Sequence, residues 1–204
     1  MIEVGLFFSQ IIDFRCNFTA THSSGIAAVS SELARLYGLS KRECALMRFA
    51  GDMHDIGKLA VPIEIIEKQG ELNEEEARLI KMHTYYTYQI LSDIEGIGQV
   101  REWAAYHHEK NDGTGYPFGL SGNDISEGCK IIKVADIFTA LRGERPYRPA
   151  MKKEKVLHVF EHLEEDEEIL HGIINCLKEN YDKLDKVSAK AQEEAIERYK
   201  AFIE

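Results

Sequence analysis

The sequence is short of everything that staples or anchors a chain. Its 204 residues include four cysteines, Cys16, Cys44, Cys129 and Cys176, with no C-x-x-C pair among them. That spacing excludes a zinc ribbon and a disulfide framework, so reduced and mostly buried thiols are expected. Prolines number four and tryptophans one. No stretch approaches the roughly 18 apolar residues needed to span a bilayer. The opening residues Met1 to Val4 carry no basic segment, and no small-residue cleavage site follows, so no signal peptide is read and a cytoplasmic location is expected. Cations are also scarce: 25 Lys and Arg face 35 Asp and Glu, for a net charge of -10. An acidic chain is a poor partner for nucleic acid, although a few local cations and a metal cluster can still hold a small anion.

Strand alternation and internal repeats are missing too, and what remains is helical. At 44% hydrophobic and 29% charged residues, the chain has the composition of one globular domain with a core of its own. His22, Ile26, Val29, Leu33 and Leu36 share one helix face, with Thr21 as a candidate N-cap and Gly38 as a stop. Ser40 followed by Glu43, and Asn73 followed by Glu76, are capping-box signatures opening two more helices. The first runs to about His54. The second has an inner face read as Ile80, His83, Thr87 and Ile90. A fourth helix is predicted over 98–108, carrying Val100, Trp103, Ala104 and His107. A glycine-rich loop over 109–127 and an apolar helix from Cys129 to Leu141 follow. Further helices are expected over 152–164 and 167–203, the latter begun by Asp166, Glu167 and Glu168. The fold class is all-α, a compact multi-helix bundle. Residues 1–17, with Leu6, Phe7, Ile11 and Phe14, read as an N-terminal packing or signalling helix; 18–165 as the main domain; and 166–204 as a C-terminal helical extension. The terminal helices are candidates for pairing two copies of the chain.

The histidines carry the chemistry. Of eight, His158, His162 and His171 lie in acidic C-terminal segments and read as surface residues. His22, His83 and His107 fall on inward helix faces, and His54 and His108 at helix ends. Burying such rings unsatisfied costs about 1–3 kcal/mol each, and a metal supplies the missing partners. Asp55 beside His54, and Asp136 inside an apolar helix, add carboxylates. This donor set is too large for one four-coordinate zinc and suits two bridged octahedral ions, an arrangement that cleaves phosphate esters. Lys58, Arg145 and Arg148 are the cations placed to meet phosphate oxygens.

His54-Asp55-Ile56-Gly57-Lys58, His107-His108-Glu109, Asp112-Gly113-Thr114-Gly115-Tyr116-Pro117, Asp136 and Arg145-Pro146-Tyr147-Arg148 together resemble the HD-GYP subset of the HD phosphohydrolases. The resemblance covers about residues 18–165 and implies that they form a catalytic domain, an HD-type bundle around a bi- or trinuclear metal centre that hydrolyses cyclic di-GMP to the linear dinucleotide, and often on to GMP, by attack of a metal-bridging hydroxide on phosphorus. It implies His22, His54, Asp55, His83, His107, His108 and Asp136 as metal ligands. Asp55 and Lys58 are implied as catalytic residues. Lys58, Asp112, Gly115, Tyr116, Arg145 and Arg148 are implied on the substrate side, and the Gly-Tyr-Pro loop as a site for protein partners. Iron or manganese is the expected metal, with zinc, nickel and magnesium as alternatives. Some members place a third-metal glutamate where Phe18 stands here, with Asp13 a remote substitute, so two metals and a dinucleotide product are expected. Three alternatives are a non-catalytic cyclic-dinucleotide-binding module, a phosphohydrolase for another cyclic dinucleotide, and an oxygen-carrying di-iron bundle. The last leaves Lys58 and the two arginines without a role.

Overall fold

Local capping decides where the helices begin and end. The computed structural model describes residues 21–143, 149–166 and 170–203. Helix α1 spans His22–Tyr37 and α2 Lys41–Met53. Gly38, at φ 103°, closes α1, and the Leu39 amide reaches back to the Ala34 carbonyl in a Schellman turn. Ser40 and Glu43 then exchange side-chain and backbone bonds at 3.3 and 2.9 Å, the reciprocal capping box. A 3₁₀ turn over Ile56–Ala60 and a short helix α3, Ile63–Ile66, lead to α4, Glu74–Ser92. Asn73 and Glu76 cap α4 in the same reciprocal way. Thr21 occupies the N-cap position of α1 but makes no side-chain capping bond.

Helices α5, Gly98–Ala105, and α6, Glu127–Arg142, flank the glycine-rich loop. The fourth predicted helix is therefore shorter than its periodicity suggested, and His107 and His108 sit in the turn beyond it. The inner face of α4 is His83, Thr84, Thr87 and Leu91, while Ile90 points outward. After Pro149 come α7, Lys153–Asp166, α8, His171–Glu179, and α9, Tyr181–Ile203. Asp166 thus ends a helix instead of beginning one, and Glu167 and Glu168 lie outside the described residues. The predicted helix over 167–203 is interrupted at Asn180, whose side-chain amide bonds the Cys176 carbonyl at 2.9 Å and competes with helix continuation. Among the described residues no strand occurs, and none of the helices is long and apolar enough to cross a membrane.

One apolar cluster joins the elements. Ile26, Val29 and Leu33 of α1 meet Met47 and Ala50 of α2, Val100 and Trp103 of α5, and Ile131, Ile132 and Phe138 of α6. Ile174, Leu177 and Leu184 of α8 and α9 belong to the same core. Helices α1 and α2 approach so closely at Gly51 that an added Cβ would lie 2.6 Å from the Ala27 Cα. Cys44 and Cys129 are buried free thiols and Cys176 is half-buried, while Cys16 lies outside the described residues. Leu6, Phe7, Ile11 and Phe14 lie outside them as well.

A charge clamp fastens α9 to α1. Glu32 accepts two bonds from Arg35 at 2.8 Å and pairs with Lys183 of α9 at 2.7 Å. The hydrogen bond from Arg35 is the main force holding the Glu32 carboxyl down at about 2, against the upward pull of burial and with help from Lys183. A carboxylate depressed in this way stabilises the fold above its ordinary value of 4.5, and that contribution is lost as pH falls toward 2. Solvent screening limits it to about 1 kcal/mol or less. Glu32→Gln should therefore lower stability at neutral pH and converge on wild type in acid. Denaturant unfolding across the pH range checks this.

Candidate metal centre

Each element delivers its polar side chains to one place. His22 opens α1, His54 caps α2, Asp55 begins the following turn, His83 lies on the inner face of α4, and Asp136 comes from α6. His107 and His108 arrive from the turn after α5. The turn at Asp55 is pinned to α4 through Thr87, whose hydroxyl donates to the His54 carbonyl at 3.1 Å and accepts the Gly57 amide at 3.0 Å. Gly57 lies flat against α4, where a Cβ would overlap the carbonyl oxygen of His83. Glycine at this place in the turn is a packing requirement.

Three of the rings are oriented by one device. His54 Nδ1 donates to the Gly51 carbonyl at 2.8 Å, His83 Nδ1 to Ile80 at 2.6 Å, and His107 Nδ1 to Ala104 at 2.7 Å. A carbonyl can only accept, so Nδ1 carries the proton and, in the neutral ring, Nε2 presents its lone pair inward. The Nε2 atoms of His83 and His107 are buried with no hydrogen-bond partner. His83 Nε2 lies 3.3 Å from Asp55 Oδ1 without bonding it, so a lone pair faces a carboxylate oxygen. Two acceptors in contact call for a cation between them.

The electrostatics agree with that need. Burial pushes the protonation of His83 and His107 down, and that of His108 down to about 4, so these rings are held in the neutral, metal-binding form. Burial also opposes charge on Asp55 and Asp136, yet neighbouring cationic groups prevail. His54 and Lys58 hold Asp55 well below the usual carboxylate range, and the hydrogen bond from His22 at 3.1 Å does the same for Asp136. Burial pulls the protonation of His54 down, but the charge of Asp55, its hydrogen bond and the charge of Asp136 together pull it up. Lys58 Nζ reaches Asp55 Oδ2 at 2.5 Å from a partly exposed position.

Three overlapping groups could each hold an ion: His22, His54 and Asp136; His54, Asp55 and His107; and His83, His107 and His108, with ligand atoms inside each group within 4.8 Å of one another. Imidazole and carboxylate donors suit iron, manganese, zinc or nickel. The oriented rings and the two orphaned Nε2 atoms fit such an occupant.

A family model described as HD domain matches residues 7–168. The chain belongs to the HD domain family. It is 40% identical over 189 residues to 3'3'-cGAMP-specific phosphodiesterase 3 of Vibrio cholerae, covering 90% of this chain and 41% of that protein. It is 34% identical to the cyclic di-GMP phosphodiesterase response regulator RpfG of Xanthomonas campestris pv. campestris, covering 73% of this chain and 40% of the relative. The chain thus spans about two fifths of the length of these curated relatives. Among solved structures, Bd1817, an HDG"Y"P protein from Bdellovibrio bacteriovorus, superposes with a TM-score of 0.62 at 19% identity, over 79% of this chain and 51% of that one. That likeness shows that the HD domain here shares its fold with an HDG"Y"P protein.

The structure brings all seven residues of the expected donor set to one centre, with Lys58 at its edge. Tyr116 reaches the centre too, its ring 4.8 Å from that of His108 and 6.5 Å from that of His83. Burial, with the fields of Asp136 and Asp55, pushes its phenol up, so the hydroxyl stays protonated. Gly115 is packed so closely on the Glu109 and Lys110 backbone that a Cβ would overlap it. Asp112 turns back on its own loop, accepting from the Thr114 amide and hydroxyl at 2.9 and 2.7 Å, and so shapes the turn. Arg145, Arg148, Phe18 and Asp13 lie outside the described residues. His158, His162 and His171 are exposed.

Sequence reasoning placed Thr87 on the right helix face but missed its tether. A hydroxyl one helical turn after His83 marks the residue but not its partners, His54 and Gly57. It also gave no role to Lys81, whose ammonium sits 5.5 Å over the Tyr116 ring, or to Lys133, which donates to the Glu109 carbonyl at 3.0 Å. A Gly57→Ala substitution should force the turn off α4, destabilise the fold by about 1–3 kcal/mol as overpacking does, and reduce bound metal. Melting temperature and elemental analysis of the purified protein check both.

Proposed function

We propose that this chain is the catalytic domain of a metal-dependent cyclic dinucleotide phosphodiesterase, with cyclic di-GMP as the first candidate substrate. The observation that carries the reading is the set of overlapping His and Asp groups with a lysine at their edge, in a chain whose relatives are named for cleaving cyclic dinucleotides. In this reading His22, His54, Asp55, His83, His107, His108 and Asp136 hold two divalent ions, iron or manganese by preference, in a cytoplasmic enzyme. Such ions supply an activated water and neutralise charge on the phosphoryl group.

The chain's own residues do the rest. His54, His83 and His107 are held rigid by their carbonyl bonds, so little reorganisation accompanies the reaction. Lys58 is partly exposed and one short contact from Asp55, so its ammonium can meet a phosphoryl oxygen and stabilise the charge that develops there. Arg145 and Arg148, carried over from the family resemblance, would grip the remaining phosphate oxygens. Tyr116, with its protonated hydroxyl, borders the centre on the substrate side.

A second substrate reading has a specific observation behind it. The identity to a relative named as 3'3'-cGAMP-specific is 40%, against 34% to one named for cyclic di-GMP. Both rings present the same phosphodiester to the centre and differ in one base.

The test is anaerobic. The metal-stripped protein is loaded with Fe(II) or Mn(II), given each cyclic dinucleotide in turn, and the products are separated by chromatography. Turnover with accumulation of the linear dinucleotide is expected, and His54→Ala and Asp55→Ala should each remove at least about a thousandfold of the rate, as loss of a unit that acts together does. Binding without turnover in either metal would replace the enzyme with a binding module. GMP as the dominant early product would argue against the two-metal centre.

A further inference from the structure

We propose that Glu109 is a positioning residue whose buried carboxylate locks the Gly-Tyr-Pro loop onto the turn bearing His107 and His108, so that the grip on substrate depends on it. This rests on the phosphodiesterase reading for the word substrate; the lock itself does not.

Glu109 is 1% exposed, unusual for a glutamate, and both of its oxygens are engaged. Oε1 accepts the Phe118 amide at 2.7 Å and Oε2 the Leu120 amide at 3.0 Å. These two donors alternate along the far limb of the loop, past Tyr116 and Pro117. The near limb is fastened to the same place. The Tyr116 amide donates to the His108 carbonyl at 3.3 Å, and Gly115 packs without a Cβ against the backbone of Glu109 and Lys110. The loop base is closed by an antiparallel bridge between Asp112 and Ser121 and by the Gly122 amide on the Asn111 carbonyl at 3.2 Å. Lys133 holds the carbonyl of Glu109 itself, from the helix that supplies Asp136.

A loop of this length has no ladder of its own to satisfy its amides, and buried amides without acceptors are costly. One carboxylate supplies two acceptors at a single point, which no uncharged side chain of that length does as well. The anchor is also the residue directly after His108. The loop is therefore fastened beside the donor rings on both sides of Tyr116, at the His108 carbonyl before it and at the Glu109 carboxylate after it. The Lys81 ammonium also lies over the Tyr116 ring, 5.5 Å from its centroid. Removing the anchor frees the loop while leaving every donor of the metal groups in place.

The experiment uses the full chain with Glu109→Ala and the milder Glu109→Gln, which keeps the shape and one acceptor but sets a carboxamide NH2, a donor, against one of the backbone N–H donors. Hydrogen exchange by mass spectrometry reads the loop amides, elemental analysis reads the metal, and steady-state kinetics with the cyclic dinucleotide that wild type cleaves reads the grip. Exchange at the Phe118 and Leu120 amides should speed up about tenfold or more. Metal content should hold, and KM should rise about tenfold with a smaller change in kcat, Gln lying between wild type and Ala. Unchanged exchange in both variants overturns the lock. Faster exchange with KM unchanged, or a loss of metal that parallels the loss of rate, overturns the positioning role. If wild type cleaves no cyclic dinucleotide, the functional reading fails by itself, and the exchange data still decide whether Glu109 holds the loop.

Discussion

Three hydrogen bonds from imidazole Nδ1 to the carbonyl three residues back are what the rest of the site depends on. Each fixes a ring plane and a tautomer, and each is made to backbone already committed to a helix. The donors thus inherit the rigidity of α2, α4 and α5. A histidine on a loose loop would need a carboxylate to orient it. Here the helix end does that work and the carboxylates are left for the centre. The contact between His83 Nε2 and Asp55 Oδ1 at 3.3 Å sets two acceptors side by side, an arrangement suited to a cation.

The fold serves this arrangement by bringing helix ends together. Helices α1, α2 and α5 meet in the core around the fully buried Val29, Ala50 and Val100. Helix α6 passes through the middle, buried on nearly every side, and carries Asp136 into reach. The later helices cover the back of α1. Most of the described acidic residues are exposed, while the centre gathers five imidazole rings and two carboxylates.

Much of this was legible in the residues. Periodicity and caps located α1, α2 and α4 because Ser40, Glu43, Asn73 and Glu76 act locally, within one turn of chain. The donor set was legible because polar rings at inward positions need partners, whichever elements supply them. What escaped was non-local. The end of α5 at Ala105 follows from the turn that presents His107, and the break at Asn180 from a side chain that competes for one carbonyl. Ile90 fits the apolar face by spacing, but α4 turns that position to solvent because Leu91 fills the core. Thr87 and Glu109 act across 33 and about ten residues of sequence, and no pattern within one element reveals such ties.

The turn from His54 to Lys58 divides its labour in a way its spelling hides. His54, Asp55 and Lys58 carry donors and charge, while Ile56 is core and Gly57 is a flat surface pressed on the backbone of another helix. The five residues are therefore half of an interface, and the other half, His83 and Thr87, is written some thirty positions later. Grafted alone onto a different helical scaffold, the pentapeptide would bring the chemistry without the surface that aims it. Its recurrence in a protein is informative only in the company of a helix able to receive it.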